Sequence, residues 1–448
     1  MCIYMTISKG LSIVPNLQEN RRAHHSSPED SPLGSCRLSH STSLVFVRGD
    51  IQKRYPLATI SLQESLSYER IWYSPESGNR NSLLIDNSWP EILNFLRLAR
   101  NLLEAPQEPM QPHNPINHVV IIVKENHSFD NYFGTFPGAN GANLPAAQDP
   151  PAGGDPRHDH TGWLERATHA VREQYGEKDI PDYFSFARQY TLCDNYFTEV
   201  ASQSQPNHLM LIAAASPIID NANKNRTYQP QEPFKISTLP KALEKARLTW
   251  STYGDPGFSY FSKIVELKGS KNILPWTRLD SAADAGNLPN VSWVYAPGSP
   301  VELSEHPPYG KNAGQQTVKL GSQWTAERVR KLGQCKLWPN LVIFITWDDW
   351  GGWYDHVDPP FRDKWTGGSP AQGPSYANTQ FSYGTRVGCL AISPYSKQGI
   401  SKTFHSHVSL VKFCEVSFGL KPINARDAAS DDMSDCFDFK QKPLPPPK

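Results

Sequence analysis

The sequence predicts an α/β fold, a three-layer sandwich built on a mostly parallel central sheet. One observation is a set of short, apolar runs rich in β-branched and aromatic residues: His118–Val123 (HVVIIV), Val291–Tyr295 (VSWVY) and Leu341–Ile345 (LVIFI). Continuous apolar runs of this length suit strands buried on both faces. Helical stretches fall between them, at Thr238–Leu248 and Ser322–Leu332. Strand and helix alternate from residue 118 to residue 415 without an internal repeat, as a parallel sheet covered on both sides requires. Two further runs, Leu248–Tyr253 (LTWSTY) and Val387–Ile392 (VGCLAI), also read as buried strands.

The totals narrow the function classes. The chain has 448 residues, room for one large α/β domain or two ordinary ones. Its 44 Lys and Arg balance its 44 Asp and Glu, so no overall field draws it to nucleic acid. The longest apolar stretches are far short of the roughly 20 residues that span a bilayer, so no transmembrane segment is expected. Seven cysteines (Cys2, Cys36, Cys193, Cys335, Cys389, Cys414 and Cys436) show no C-x-x-C or zinc-knuckle spacing. Such a scattered set reads as packing cysteine, with one or two disulfides left open.

Residues 1–110 differ from the rest. Arg21–Ser43 is rich in Ser, His, Arg and Pro and reads as disordered, while Ile92–Leu103 could form an isolated amphipathic helix. No charged start, apolar core and small-residue cleavage site are recognisable at Met1. These residues are therefore expected to be poorly ordered or to lie upstream of a natural start at Met110. Residues 111–440 form the expected catalytic domain, and residues 441–448 a Pro-rich surface tail.

The rest of the chain is organised around Leu341–Val357 (LVIFITWDDWGGWYDHV), where an apolar strand runs straight into Asp348 and Asp349 and then Gly351-Gly352. The strand at His118 likewise delivers Glu125 and Asn126 at its end. Ligands in open α/β sheets bind at this carboxyl edge. A plainer reading makes the acids solvated, with Asn126 or Ser128 as a helix N-cap and Asp130 in the first turn. Three carboxylates and an amide oxygen nevertheless make a hard donor set for a divalent metal ion, the usual reason to gather like charges. Ser204 lies at the mouth of an apolar run that could be a helix, either as an N-cap or as a nucleophile at the positive helix terminus. It has no G-x-S-x-G elbow around it. Histidines in several loops complete a set that phosphoryl transfer can use: metal, hydroxyl and proton donor. Asn126, Asn225 and Asn290 each begin a glycosylation sequon, the first discounted because a sugar would block the strand mouth. Trp347, Trp350, Trp353 and Tyr354 would suit a lipid or large leaving group, although aromatic residues beside a strand end are more often core.

The segments ENHSFDNYFGTFPG, LCDNYF with SQPNH, VSWVYAP, EHPP, WDDWGGWYDHV and HVSLVKFCE resemble, in order, the phosphoesterase family. That family includes bacterial phospholipases C, bacterial acid phosphatases and plant non-specific phospholipases C, within the alkaline-phosphatase-like superfamily. The resemblance covers about residues 116–440. It implies an alkaline-phosphatase-like fold and metal-dependent hydrolysis of a phosphate ester or phospholipid through a phosphoserine. It implies metal ligands at Glu125, Asn126, Asp348 and Asp349, a nucleophile at Ser204, and phosphate contacts or proton donors at His158 and His306. Asn207, His208 and His127 fall on its implied substrate-binding positions. His127 and His208 replace the family's usual Arg, Trp350 stands where plant members have His, and Lys402 where S-H-T is common. The resemblance also implies action outside the cytoplasm, with contact at a membrane surface. The competing class is a non-catalytic binding protein on the same scaffold; an absent Ser204 or a broken acid pair would favour it, and neither is found.

Overall fold

A computed structural model describes residues 114–448 apart from 256, 361 and 368–374, together with a hairpin of two short strands, Tyr4–Ser8 and Ser12–Asn16. The chain divides into two units, Met1–Leu98 and Ala99–Lys448. The expectations for Arg21–Ser43, Ile92–Leu103 and Met110 fall outside the described residues.

The main sheet has eight strands. In chain order they are β1 His118–Lys124, β2 Thr191–Cys193, β3 Trp250–Gly254, β4 Ile273–Pro275, β5 Val291–Tyr295, β6 Leu341–Trp347, β7 Cys389–Ile392 and β8 Gly399–Ser401. Across the sheet they run β8-β2-β7-β6-β1-β5-β3-β4. Every neighbouring pair is parallel except the two made by β7, which lies antiparallel between β2 and β6. β1 and β6 pair along their whole lengths, from His118 opposite Leu341 to Lys124 opposite Trp347. They are central and fully covered, which is why they read as unbroken Val/Ile/Phe runs rather than as alternation. Each such side chain removed from water contributes about 1.5–3 kcal/mol.

Alternation along the strands fixes the layers. Lys124 and Trp347 point to one face: Lys124 Nζ donates to the Gly321 carbonyl of helix α3 (Thr317–Gln334), and the Trp347 ring meets Tyr183 of α1 (Pro181–Gln189). Trp293 and Phe344 point the other way. Trp293 Nε1 donates to the Leu211 carbonyl of α2 (Ser204–Ala213), and Phe344 packs on Phe413 of α4 (His407–Phe418). Helices therefore cover both faces, giving the expected three layers. Strands β2, β4 and β8 were not anticipated; each has only three residues, too few to carry a pattern. Trp347, Trp350 and Trp353 are all buried, so they belong to the core rather than to a lipid-facing surround. Among the described residues no helix is long and apolar enough to cross a membrane.

Candidate active site

The carboxyl ends of β1 and β6 are tied together by backbone. The Asp348 N–H donates to the Lys124 carbonyl at 2.9 Å, and the Asn126 N–H donates to Asp348 Oδ1 at 3.0 Å. Asn126 adopts a left-handed backbone (φ 62°), and Gly351 (φ 58°) packs so closely on it that a Cβ there would lie 2.3 Å from the Asn126 carbonyl oxygen. That contact is why the D-D-x-G spacing needs glycine.

Ser204 is the first residue of α2, following Gln203 at the cap position. It caps nothing: its hydroxyl donates to Asp349 Oδ2 at 3.0 Å and to Glu125 Oε2 at 3.3 Å. Asp349 Oδ1 accepts the Gly351 N–H at 2.6 Å, which turns the carboxylate toward the serine. Ser128, by contrast, does cap the helix Phe129–Phe133, with Asp130 in its first turn. Burial and the neighbouring Asp348 push the Glu125 and Asp349 carboxyls up. Burial would raise Asp348 too, but the His208 hydrogen bond and charge, the Asn126 N–H and Ser204 outweigh it and hold Asp348 down at about 2.

Asn126 Oδ1 is buried without a hydrogen-bond partner, and Asp348 Oδ2 meets only the His208 ring, at 3.2 Å. Such oxygens beside gathered carboxylates and a hydroxyl fit a hard divalent cation, to which Glu125, Asn126, Asp348, Asp349 and Ser204 could all contribute.

The histidines divide. His158 and His306 line a cavity of about 430 Å³ together with Glu125, Ser204, Tyr260, Tyr295 and Tyr309. The Nδ1 atoms of His158 and His306 lie 2.7 Å and 2.8 Å from the carbonyls of Pro156 and Pro307, which leaves each Nε2 for the cavity side. His158 Nε2 lies 3.4 Å from Asn126 Nδ2. Burial pulls His306 down, but Asp155 and Glu125 outweigh it, so its affinity for a proton is raised.

The other three expected substrate contacts are placed elsewhere. His127 is fully buried, its ring nitrogens engaged by Asn131 Oδ1 at 2.6 Å and the Glu305 carbonyl at 3.0 Å. Asn207 is also fully buried; its side chain accepts from the N–H groups of Glu199 and Val200 and donates to the carbonyls of Val200 and Gln203. It shapes the loop that presents Ser204. His208 sits among the carboxylates, its Nε2 3.2 Å from Asp348 and 3.4 Å from Glu125, with its ring stacked on Tyr260. Burial opposes its charge, yet these two acids raise its pKa to about 9. None of the three is a lining residue of the cavity.

Two residues that the sequence reading missed support the site from behind. His407 Nε2 lies 2.7 Å from the Asp348 carbonyl, and its Nδ1 lies 3.0 Å from the Tyr196 hydroxyl. Glu305, at a left-handed φ of 77°, is buried against Lys124 at 3.3 Å and accepts from Tyr183 at 2.5 Å and from Trp347 Nε1 at 2.9 Å. The E-H-P triplet marked Glu305 as a neighbour of His306, but nothing local shows that it points inward.

The family described as Phosphoesterase matches at residues 116–160 and 154–421. Phospholipase C B of Mycobacterium tuberculosis is 27% identical over 449 residues, spanning 78% of this chain and 84% of that one. Non-hemolytic phospholipase C of Pseudomonas aeruginosa is 26% identical over 72% of this chain and 57% of its own length. Non-specific phospholipase C5 of Arabidopsis thaliana is 26% identical over 51% of this chain and 44% of its own. Among solved structures, a Vibrio parahaemolyticus protein in the alkaline phosphatase superfamily aligns with a TM-score of 0.40 at 10% identity, covering 78% of this chain and 79% of that chain.

Proposed function

The chain belongs to the phosphoesterase family and is a hydrolase of phosphate ester bonds, and on that premise we propose a metal-dependent, phospholipase C type reaction through a phosphoserine at Ser204. The observation that carries it is the Ser204 hydroxyl at a helix start, 3.0 Å from Asp349 and facing the cavity of His158 and His306. When bound, the divalent cation supplies charge that holds the carboxylates together, acidifies the Ser204 hydroxyl and polarises phosphoryl oxygens. Ser204 Oγ loses its proton toward Asp349 Oδ2 and bonds to phosphorus, with the positive end of α2 behind it. The departing ester oxygen takes a proton from His306, whose Nε2 faces the cavity. Water then displaces Ser204 from phosphorus, its proton passing to the imidazole while Asp349 returns the first proton to Ser204 Oγ. His158 positions Asn126 and the phosphoryl group.

A lipid leaving group is favoured by the cavity mouth, where Phe258 and Tyr309 are 59% and 62% exposed. Relatives named phospholipase C support the same substrate class, with peripheral contact at a lipid surface. Site of action outside the cytoplasm follows by the same likeness. The test compares hydrolysis of phosphatidylcholine and p-nitrophenyl phosphate by the full chain, with and without chelator. Diacylglycerol release that chelation stops is expected; a rate indifferent to chelator removes the metal, and turnover of the monoester alone removes the lipid.

A further inference from the structure

Towards the β8 side of the sheet, two cysteines that the sequence scatters 243 positions apart come together, with Cys193 Sγ 3.6 Å from Cys436 Sγ. Cys193 ends the short strand β2, and Cys436 belongs to the C-terminal segment that packs against it, where the Thr191 hydroxyl reaches the Cys436 carbonyl. His405 Nε2 lies 3.9 Å from Cys436 Sγ and 3.2 Å from Asp435 Oδ1, and that carboxylate oxygen is 3.9 Å from Cys436 Sγ.

We propose that Cys193, Cys436 and His405 form a structural site for a thiophilic divalent cation, zinc above all, separate from the catalytic carboxylates, with Asp435 beside His405 and Cys436 as the side chain that turns in to complete it. Tetrahedral zinc with bonds of about 2.3 Å to sulfur and about 2.0 Å to nitrogen or oxygen sets ligand separations of about 3.8 Å for two sulfurs, about 3.5 Å for sulfur to nitrogen or oxygen, and about 3.3 Å for nitrogen to oxygen. The sulfur pair at 3.6 Å and the nitrogen–oxygen pair at 3.2 Å lie close to those values, and the two contacts of Cys436 Sγ at 3.9 Å are longer by about 0.4 Å. Soft thiolates with an imidazole select zinc over the hard cations that suit the other site.

The surrounding groups hold these ligands as a metal site requires. Asp431 Oδ1 lies 2.6 Å from His405 Nδ1, the carboxylate–histidine arrangement that aims the other ring nitrogen at a metal. The Ser401 hydroxyl donates to Asp435 Oδ2 at 2.5 Å and also lies 3.2 Å from His405 Nε2, so it orients both. Cys193, Cys436 and His405 are fully buried, while Asp435 keeps 32% of its side chain exposed and gives the ion a way in. Simple thiol packing would not account for an imidazole and a carboxylate gathered on the Cys436 sulfur. Cys389, opposite Cys193 in the β2–β7 pairing, is a buried neighbour outside this ligand set. The bound ion would release the thiol protons and fasten the C-terminal segment to the sheet edge, two residues from His407, which holds the Asp348 carbonyl.

The test uses the full chain, stripped with chelator under reducing conditions and refilled with cobalt. A near-ultraviolet thiolate-to-cobalt charge-transfer band at one equivalent is expected, because the carboxylate site offers no sulfur. Cys389→Ser should keep the band; Cys193→Ser and Cys436→Ser should lose it. Cobalt bound by the wild type without that band overturns the proposal whether or not the cysteine variants fold. So does a purified chain two hydrogens lighter that yields a Cys193–Cys436 disulfide peptide.

Discussion

Asp349 Oδ2 accepts the Ser204 hydroxyl at 3.0 Å although the two residues lie 145 positions apart. Ser204→Ala should therefore cut phosphate-ester turnover by about a thousandfold or more while leaving thermal stability close to wild type. Phosphoserine trapped by acid quench during turnover should vanish with it. A variant that keeps most of its rate would mean that water attacks phosphorus directly.

Asp349→Asn and Glu125→Gln each remove one negative charge from the donor set. Metal affinity should fall at least about tenfold, equivalent to about 1.4 kcal/mol, with turnover recovered in part at raised metal concentration in Glu125→Gln but not in Asp349→Asn, which also loses the acceptor of the Ser204 proton. Calorimetric titration giving wild-type affinity in both variants would rule out these ligands.

Gly351→Ala should damage fold and rate at once. The left-handed backbone alone costs roughly 1–2 kcal/mol in a residue with a Cβ, and the new atom meets the Asn126 carbonyl at 2.3 Å. A lowered melting temperature and weaker metal binding are expected, because Asn126 must move. An unchanged melting temperature would show that the turn can relax freely.

His127 and His407 are buried and held near a pKa of about 4, below an ordinary value of 6.5, chiefly because burial disfavours their charged forms. Below about pH 6.5 the unfolded chain binds a proton at each while the native protein does not. Stability should thus fall as pH drops from about 6.5 toward about 4, by up to roughly 3 kcal/mol per histidine. Urea midpoints measured across that window test this, and a His127→Gln variant should show a shallower slope. An identical slope would place the acid sensitivity elsewhere.

Residues 111–440 are proposed to fold without the preceding extension. Expressing residues 110–448 should give a soluble enzyme with the stability and rate of the full chain, and an insoluble or inactive product would move the boundary.

Strand ends and their acids were legible because burial on both faces leaves an unbroken run of Val, Ile, Leu and Phe through the middle of β1 and β6, so the first carboxylate marks the edge. Thr238–Leu248 and Ser322–Leu332 were found as Leu239–Lys245 and Thr317–Gln334, since periodicity locates a helix better than its ends. The antiparallel direction of β7 was not legible, because its residues carry no sign of chain sense. His127 and His208 read as replacements for the family's usual Arg at implied substrate-binding positions. What decided otherwise was company supplied by distant segments, Glu305 and Asn131 for the first and Tyr260 and Asp348 for the second. The Cys193–His405–Cys436 grouping escaped for the same reason: its spacing spans three separate segments.

Glu305 turns its side chain to Lys124, Tyr183 and Trp347 while the next residue, His306, faces the cavity. The imidazole proposed as proton donor is thereby held through its neighbour's grip on the sheet as well as within its own loop, where Nδ1 meets the Pro307 carbonyl at 2.8 Å. Residues 298–301, exposed on the same loop, can change size or polarity with less disturbance to the histidine than Tyr309, whose ring meets the imidazole edge-on at 5.2 Å. A lineage could exchange one headgroup for another through that loop and keep its chemistry throughout. The same economy makes Lys124 and Tyr183, far from any substrate, positions where a single replacement would silence every such variant together.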